Sequence, residues 1–279
     1  MTAIKGAAAA ITGAAGGIGR ALALEMVSRG VAALALADRD EAGLRAVAAE
    51  IGAKAKVTTH RVDVGDAEQI KVFAAATIAA HPSLNIIVNN AGVALLGNFT
   101  EVDQAQMEWL ININFWGVVH ATRAFLPHLA KQREAHIVNL SSLFGLIAPP
   151  GQTAYCAAKF AVRGFSESLR HELAIANSPV KLSVVHPGGV STNIVRNSRT
   201  GVGVTDNARR AQSIDRFDAI AKTTPPAAAL RIIEGIEKNA PRILIGNDAR
   251  LMDLLQRFRP GTYWAMLQRR IEKRAAAGK

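Results

Sequence analysis

Along most of this chain, short apolar runs alternate with longer stretches in which apolar residues recur every three or four positions. The segments at 7–11, 32–37, 56–62, 85–88, 136–140 and 181–185 read as strands. The periodic stretches at 18–29, 41–51, 67–80 and 153–176 read as helices, and 104–131 reads as a long helix interrupted before Pro127. Strands that are apolar on both sides, each followed by an amphipathic helix, predict a parallel sheet covered on both faces. The expected fold class is α/β, a doubly wound parallel sheet in one domain with a helical C-terminal extension.

The alternation stops after residue 185. Residues 190–222 are polar, contain glycine and are weakly periodic, too long for a simple connector; a lid over a ligand site is expected there. A helix at 226–238 and a last strand at 242–245 follow. From 250 to 274 an amphipathic stretch offers Leu251, Leu254, Leu255, Phe258, Trp264, Leu267 and Ile271 to one face, divided by Pro260-Gly261. No linker separates two cores. The expected organisation is a catalytic domain over 1–249, with the lid inside it, and a basic amphipathic extension over 250–279.

Composition narrows the class. At 279 residues and 49% hydrophobic the chain can bury a large core, and only 5% of it is aromatic. Cys156 is the sole cysteine, so neither a disulfide framework nor a thiolate metal cluster is expected, and a cytoplasmic location fits. Residues 1–6 lead straight into a strand without a signal-like leader. No apolar run approaches the roughly 20 residues that cross a bilayer.

The net charge of +11 invites a nucleic-acid reading, yet residues 250–279 hold eight basic and two acidic side chains, a net of +6. More than half of the excess therefore sits in the tail, and no nucleic-acid motif matches. Such a tail reads first as a solvated helix face, with peripheral contact on an anionic membrane as the weaker alternative. His128, His171 and His186 have no metal-ligand spacing, and no metal is expected.

The segment Thr12-Gly13-Ala14-Ala15-Gly16-Gly17-Ile18-Gly19 lies between the first strand and the first helix. Glycines let the backbone turn sharply against a pyrophosphate, and the helix N-terminus offers unpaired N–H groups to that anion. Asp38 ends the second strand nineteen residues after Gly19, near the ~20-residue spacing of a ribose-binding carboxylate. It would accept from both ribose hydroxyls and repel a 2′-phosphate, which favours NAD over NADP. Arg39 could stack on adenine or pair with such a phosphate, and the bland alternative for Asp38 is a helix cap.

Tyr155 and Lys159 are four apart in a helical stretch and project from one face. A phenol of pKa about 10 is a poor base at neutral pH. An ammonium about 4 Å away at an effective dielectric near 20 is worth roughly 4 kcal/mol, about three pKa units. With the further positive charge of an oxidised nicotinamide, a phenolate near neutrality is the expectation, suited to taking an alcohol proton as hydride leaves carbon. Ser142 ends the fifth strand, thirteen residues before Tyr155, where its hydroxyl could hold the substrate oxygen.

These motifs, in this order and spacing, resemble the short-chain dehydrogenase/reductase family from the first strand to about Thr192. The resemblance implies a Rossmann fold, a nicotinamide dinucleotide, and a homodimer or homotetramer. It matches TGxxxGxG to Thr12–Gly19, with Gly13, Gly16, Gly17, Ile18 and Gly19 on the cofactor. It gives Asp63 to adenine and Val64 to backbone contacts, and matches Asn89-Asn90-Ala91-Gly92 to a segment lining the cofactor. Pro187-Gly188, Val190 and Thr192 correspond to the family's stretch beside the carboxamide. The catalytic set it implies is Asn114, Ser142, Tyr155 and Lys159; it prefers Ser142 over Ser141, and its Asn-x-x-Gly context prefers Asn114 over Asn112. YxASK stands here as Tyr155-Cys156-Ala157-Ala158-Lys159, and Cys156 reads as structural.

The expected reaction is hydride transfer between a nicotinamide and a secondary alcohol or ketone. Val93, Leu95, Leu143, Phe144, Leu146, Ile147 and Ile194 suggest an apolar pocket, with Ser142, Phe144 and Ile194 on the substrate. Arg196 and Arg199 of the lid could greet an anionic substrate. One alternative is an NADPH-dependent carbonyl or 3-ketoacyl reductase. Another, of a different class, is a catalytically silent dinucleotide sensor or scaffold, against which the full Asn–Ser–Tyr–Lys set argues.

Overall fold

In the computed structural model, which describes residues 1–269, each central strand sends alternate side chains into two separate cores. The strands are β1 (Ala8–Thr12), β2 (Ala33–Asp38), β3 (Lys56–Arg61), β4 (Leu84–Asn89), β5 (Leu95–Leu96), β6 (Ala135–Leu140), β7 (Val180–Pro187), β8 (Arg199–Thr200) and β9 (Arg242–Ile245). Seven of them form a parallel sheet in the order β3-β2-β1-β4-β6-β7-β9, while β5 pairs with β8 apart from it. The helices are α1 (Gly17–Ser28), α2 (Glu41–Ile51), α3 (Ala67–Ala80), α4 (Gln104–Ile111), α5 (Gly117–Leu129), α6 (Thr153–Ile175), α7 (Asn207–Ile220), α8 (Pro225–Glu237) and α9 (Asn247–Phe258). Residues 263–269 are helical again.

The alternation explains why the strands read as unbroken apolar runs. Ala9, Ile11, Leu34 and Leu36 face α1, α2 and α8, whereas Ala8, Ala10, Ala33, Ala35 and Ala37 face α3 and α5. On that second side the strands are small, so large side chains from the helices fill the space. Phe73 of α3 and Phe125 of α5 meet edge to face at 5.5 Å there. Strand order reverses at β1, whose neighbours are β2 and β4, and this opens a crevice at the C-terminal ends of the strands.

Three expectations need correcting. The stretch 104–131 is broken by a π-helical turn at Asn112–Trp116, and Pro127 lies inside α5. Pro127 is exposed in the last turn of α5, where the carbonyl it leaves free can reach water. Within 190–222 there is regular structure: β8, and α7 capped by Asp206. None of the described side chains of α7 is fully buried, so it shows no apolar period; ion pairs Arg196–Asp218 and Arg209–Glu101 (2.5 Å) tie this region down. The third concerns the C-terminal face, because Leu251, Leu254 and Phe258 point outward. Ile271, together with Arg270, Lys273, Arg274 and Lys279, lies outside the described residues.

The end of the sheet opposite the crevice is closed by a buried histidine. His136 on β6 sets Nε2 at 2.8 Å from the Ser183 hydroxyl, which donates to the Ala240 carbonyl at 2.6 Å. Its Nδ1 is 3.2 Å from the Thr2 hydroxyl. Burial pushes this imidazole down to about 4 from an ordinary value of 6.5. A depressed folded-state pKa means that the unfolded chain takes up the proton first, so stability is complete above 6.5 and drains as pH falls toward 4. Between pH 7 and pH 5 this one group should cost about 2 kcal/mol. Urea unfolding at those two pH values checks it: His136→Gln should show a pH-dependent loss smaller by about that amount, and an unchanged difference would contradict it.

Candidate active site

The crevice is built around the end of β1. Gly13, at φ +67°, brings the backbone so near β4 that an added Cβ would lie 2.8 Å from the Ala91 Cα. At Gly19 a Cβ would lie 2.0 Å from the Gly13 carbonyl oxygen. The Asn90 amide fastens this turn by donating to the carbonyls of Thr12 (2.9 Å) and Gly13 (3.0 Å), and the Thr12 hydroxyl accepts from the N–H groups of Asn90 and Ala91.

α1 then begins at Gly17. Side chains of Asp40, Asp66, Asp103, Asp206 and Thr224 cap α2, α3, α4, α7 and α8, but among the described residues no side chain caps α1. Its first N–H groups, with Ile18 in the first turn, are free to meet an anion. A groove of about 360 Å³ opens there between Gly17 and Arg20 on one side and Ser191, Thr192 and Pro225 on the other. A turn that only glycine fits and an uncapped helix start suit a dinucleotide pyrophosphate.

Asp38 reaches the same turn. Its Oδ2 accepts from the Ala15 N–H at 3.0 Å and its Oδ1 from the Asp40 N–H at 3.1 Å. The cap of α2 is Asp40, which accepts from the Gly43 N–H at 3.0 Å, so Asp38 is not used as a cap. Arg39 beside it is exposed. Asp63 is half-buried after β3 and accepts from the Gly65 N–H at 2.9 Å, and Val64 is buried against the start of α5.

On the other flank, Ser142, Tyr155 and Lys159 meet at the end of β6. Lys159 is 4% exposed, and its Nζ donates to the Leu140 carbonyl at 2.9 Å. Among the described residues no carboxylate pairs with it. Burial alone pushes this ammonium down to about 8. The Tyr155 phenol is pushed up to about 12 by burial, partly offset by its hydrogen bond with the Ser142 hydroxyl. Lys159 Nζ lies over the Tyr155 ring, 5.7 Å from its centroid. Without dinucleotide, desolvation favours the neutral phenol.

The supporting residues are fixed by local bonds. Ser142 Oγ accepts from the Phe144 N–H at 3.1 Å, and Phe144 stands edge-on to Tyr155 at 6.2 Å. Ser141 instead donates to the Lys159 carbonyl at 2.8 Å, tying α6 to β6. Asn114 is fully buried in the π-helical turn, and its side chain exchanges both hydrogen bonds with the Val93 backbone (2.8 and 2.9 Å), while Asn112 is exposed. An added Cβ on Gly92 would fall 3.2 Å from Asn114 Oδ1 and 3.5 Å from Lys159 Nζ. Cys156 is buried, and burial raises its thiol to about 12.

Other expected contributors lie elsewhere. Leu95, Leu146 and Ile147 are core residues, leaving Val93, Leu143, Phe144 and Ile194 half-buried. Arg196 is paired with Asp218, and Arg199 lies over the Trp109 ring at 3.8 Å, so both lid cations already have partners.

Two contributors escape the motifs. His186, buried on β7, approaches the Ser142 carbonyl through Nδ1 at 3.0 Å; burial pushes it down to about 4, so it stays neutral and donates there. Asp248, in the first turn of α9, accepts from the Gly189 N–H through Oδ2 at 2.7 Å. It braces the segment Pro187–Val190, in which Gly188 bonds to the end of β9 and Val190 bridges to Thr223. Thr192 follows and lies against Gly17, whose added Cβ would sit 3.3 Å from its methyl. Asp248 is sixty residues beyond Gly188 and carries no local signature.

Comparison with known proteins sets this geometry in context. The family model for short chain dehydrogenases matches residues 7–203. The chain is 42% identical over 274 residues to a Mycobacterium tuberculosis protein named as the oxidoreductase SadH, covering 98% of each. It is 32% identical over 270 residues to human estradiol 17-beta-dehydrogenase 11, covering 96% of this chain and 84% of that protein. A crystal structure of a short chain dehydrogenase/reductase from Burkholderia phymatum in complex with NAD superposes with a TM-score of 0.83 at 31% identity, covering 92% of this chain and 95% of that one.

Asp248→Ala removes a charge-assisted bond worth roughly 1.5–3 kcal/mol from the loop beside the crevice. Dinucleotide affinity, measured by calorimetry, should fall about tenfold. Asp248→Asn, which keeps an acceptor oxygen, should lose less. Equal affinity in all three proteins would show that the brace does not matter.

Proposed function

This chain belongs to the short-chain dehydrogenase family, whose members are oxidoreductases working on CH–OH groups, and we propose that Tyr155, Lys159, Ser142 and Asn114 carry its reaction with NAD as the dinucleotide. The observation that carries the reading is a buried ammonium beside a half-buried phenol, with no carboxylate to neutralise the pair among the described residues. Burying an uncompensated cation is costly. It becomes useful where negative charge must form on a neighbouring oxygen.

When bound, the dinucleotide supplies or accepts a hydride at its nicotinamide. The chain's own part is to hold both reactants and move one proton. The Gly13–Gly19 turn and the start of α1 would take the pyrophosphate, Asp38 the adenosine ribose, and Asp63 with Val64 the adenine. Arg39, Asn90, Ala91, Gly92, Pro187, Gly188, Val190 and Thr192 complete the lining. The Ser142 hydroxyl would hold the substrate oxygen, and the Tyr155 phenol would give it a proton when a ketone is reduced. In the opposite direction the phenol must first lose its proton, which the Lys159 charge assists. Asn114 holds Val93 and Gly92 against Lys159 and so keeps that end of the crevice in register.

The substrate we propose is an apolar secondary alcohol or ketone. Phe144, edge-on to Tyr155, and the half-buried Val93, Leu143 and Ile194 would supply the site's apolar surface, and the partnered state of Arg196 and Arg199 speaks against an anionic one. NAD is favoured because the Asp38 carboxylate is pinned at the crevice by Ala15, where it would repel a 2′-phosphate. The relative solved with NAD adds to that choice. We also propose a homo-oligomer in the cytoplasm. Trp116 and Phe160, 43% and 38% exposed on contacting elements, offer apolar surface for assembly. No described helix is long and apolar enough to cross a membrane.

Tyr155→Phe deletes one hydroxyl and little packing. Turnover of a ketone panel, followed by absorbance of the reduced nicotinamide, should fall roughly a thousandfold while dinucleotide affinity holds; retained turnover would refute the assignment. Asp38→Ala should lower the ratio of kcat/KM with NAD to that with NADP by about ten- to a hundredfold. An unchanged ratio would reject the ribose role.

A further inference from the structure

A helix on the surface of a folded domain ordinarily lays its apolar stripe on the core and its polar side in water. α9 departs from this, with Met252 and Leu255 only half-buried. Its inward line is Ala249 and Asp253, 0% and 8% exposed, whereas Leu251, Leu254 and Phe258 are 55%, 53% and 78% exposed. At about 3.6 residues per turn these three form one stripe centred half a turn from the buried line. Two polar anchors hold that orientation. Asp248 is bonded to Gly189, and Asp253 Oδ1 takes Arg242 at 2.6 Å with both side chains under one-fifth exposed. Rolling the helix to bury its leucines would break both.

Charge flanks the stripe. Arg250 and Arg257 lie along one side of it, Arg259 follows it, and exposed Met266 and Arg269 continue in the helix at 263–269. Arg257 pairs with Asp253, while Arg250, Arg259 and Arg269 have no ion pair among the described residues.

We propose that α9 and the helix after it dock this enzyme peripherally on an anionic lipid surface, with the Leu251–Leu254–Phe258 stripe inserted and the arginines at the headgroups. An outward apolar face bordered by long cationic side chains is the make-up of helices that lie in a membrane interface, where the arginines reach back to the phosphates. The other occupants fit less well. Among residues 270–279 only Ile271 is a large apolar side chain, too little to cover three. A second copy packed across a two-fold axis would set this arginine-flanked strip against itself.

The test is flotation of the full-length enzyme with vesicles. It should float with phosphatidylglycerol and phosphatidylcholine in equal parts, stay behind with phosphatidylcholine alone, and be released by high salt. Leu254→Gln with Phe258→Gln should lower the partition coefficient roughly a hundredfold. Arg250→Gln with Arg259→Gln should lower it roughly tenfold. Both variants should keep the turnover of a water-soluble ketone. Failure of the wild type to float, or equal flotation of the apolar variant, overturns the proposal. So does loss of an oligomer in that variant by sedimentation, which would give the stripe to a second copy, or flotation only when an acidic protein is added, which would give it to that partner.

Discussion

The site depends on a cation that the fold buries without neutralising. Lys159 is removed from water at the end of β6, bonded to a backbone carbonyl and to no carboxylate among the described residues. A paired lysine would be cheaper to bury, yet its field would be cancelled before it reached the phenol. Unpaired, it leaves positive potential directed at Tyr155, Gly92 and the crevice beyond. In the folded protein desolvation favours the neutral phenol, so in the role proposed for it Tyr155 would act as an acid first and as a base only when more positive charge is brought near.

Everything around Lys159 serves to hold it there. Ser141 ties its carbonyl to β6, and Gly145 comes so close that an added Cβ would fall 2.8 Å from the same carbonyl. Asn114 locks the Val93 backbone from the other side, which the π-helical turn at 112–116 makes possible by rotating the asparagine inward. Across the crevice, the Thr12–Asn90 latch fixes the glycine turn to β4. Asp248 carries the constraint further, joining the C-terminal helix to the loop after β7. Hydrogen bonds between side chains and the backbone do most of the joining.

Much of this was legible in the residues, for identifiable reasons. β1 and β2 announced themselves because both faces are covered, so every position but the last is apolar. The turn from Gly13 to Gly19 was legible because steric demand leaves only glycine at two of its positions. What stayed hidden was decided by contacts far apart in sequence. The π-helical turn depends on Asn114 meeting Val93, which no periodicity reveals. α7 was missed because a helix held by a cap and ion pairs lacks an apolar face. The apolar residues after 250 suggested an ordinary buried stripe, but with Asp248 and Asp253 anchored inward, Leu251, Leu254 and Phe258 face outward. The phenol expectation left out desolvation, which favours the protonated form in the fold without dinucleotide.

The protein has two tyrosines, so Tyr263→Phe leaves Tyr155 as its single phenol. Alkaline titration of phenolate absorbance in that variant, with and without oxidised dinucleotide, measures the electrostatics directly. Without dinucleotide, Tyr155 should stay neutral for as long as the fold survives alkali. With it, ionisation should appear at least about 2 pH units below 12, and Lys159→Met should abolish that shift. A phenol that titrates identically in both states, or whose shift survives the loss of Lys159, would contradict the account.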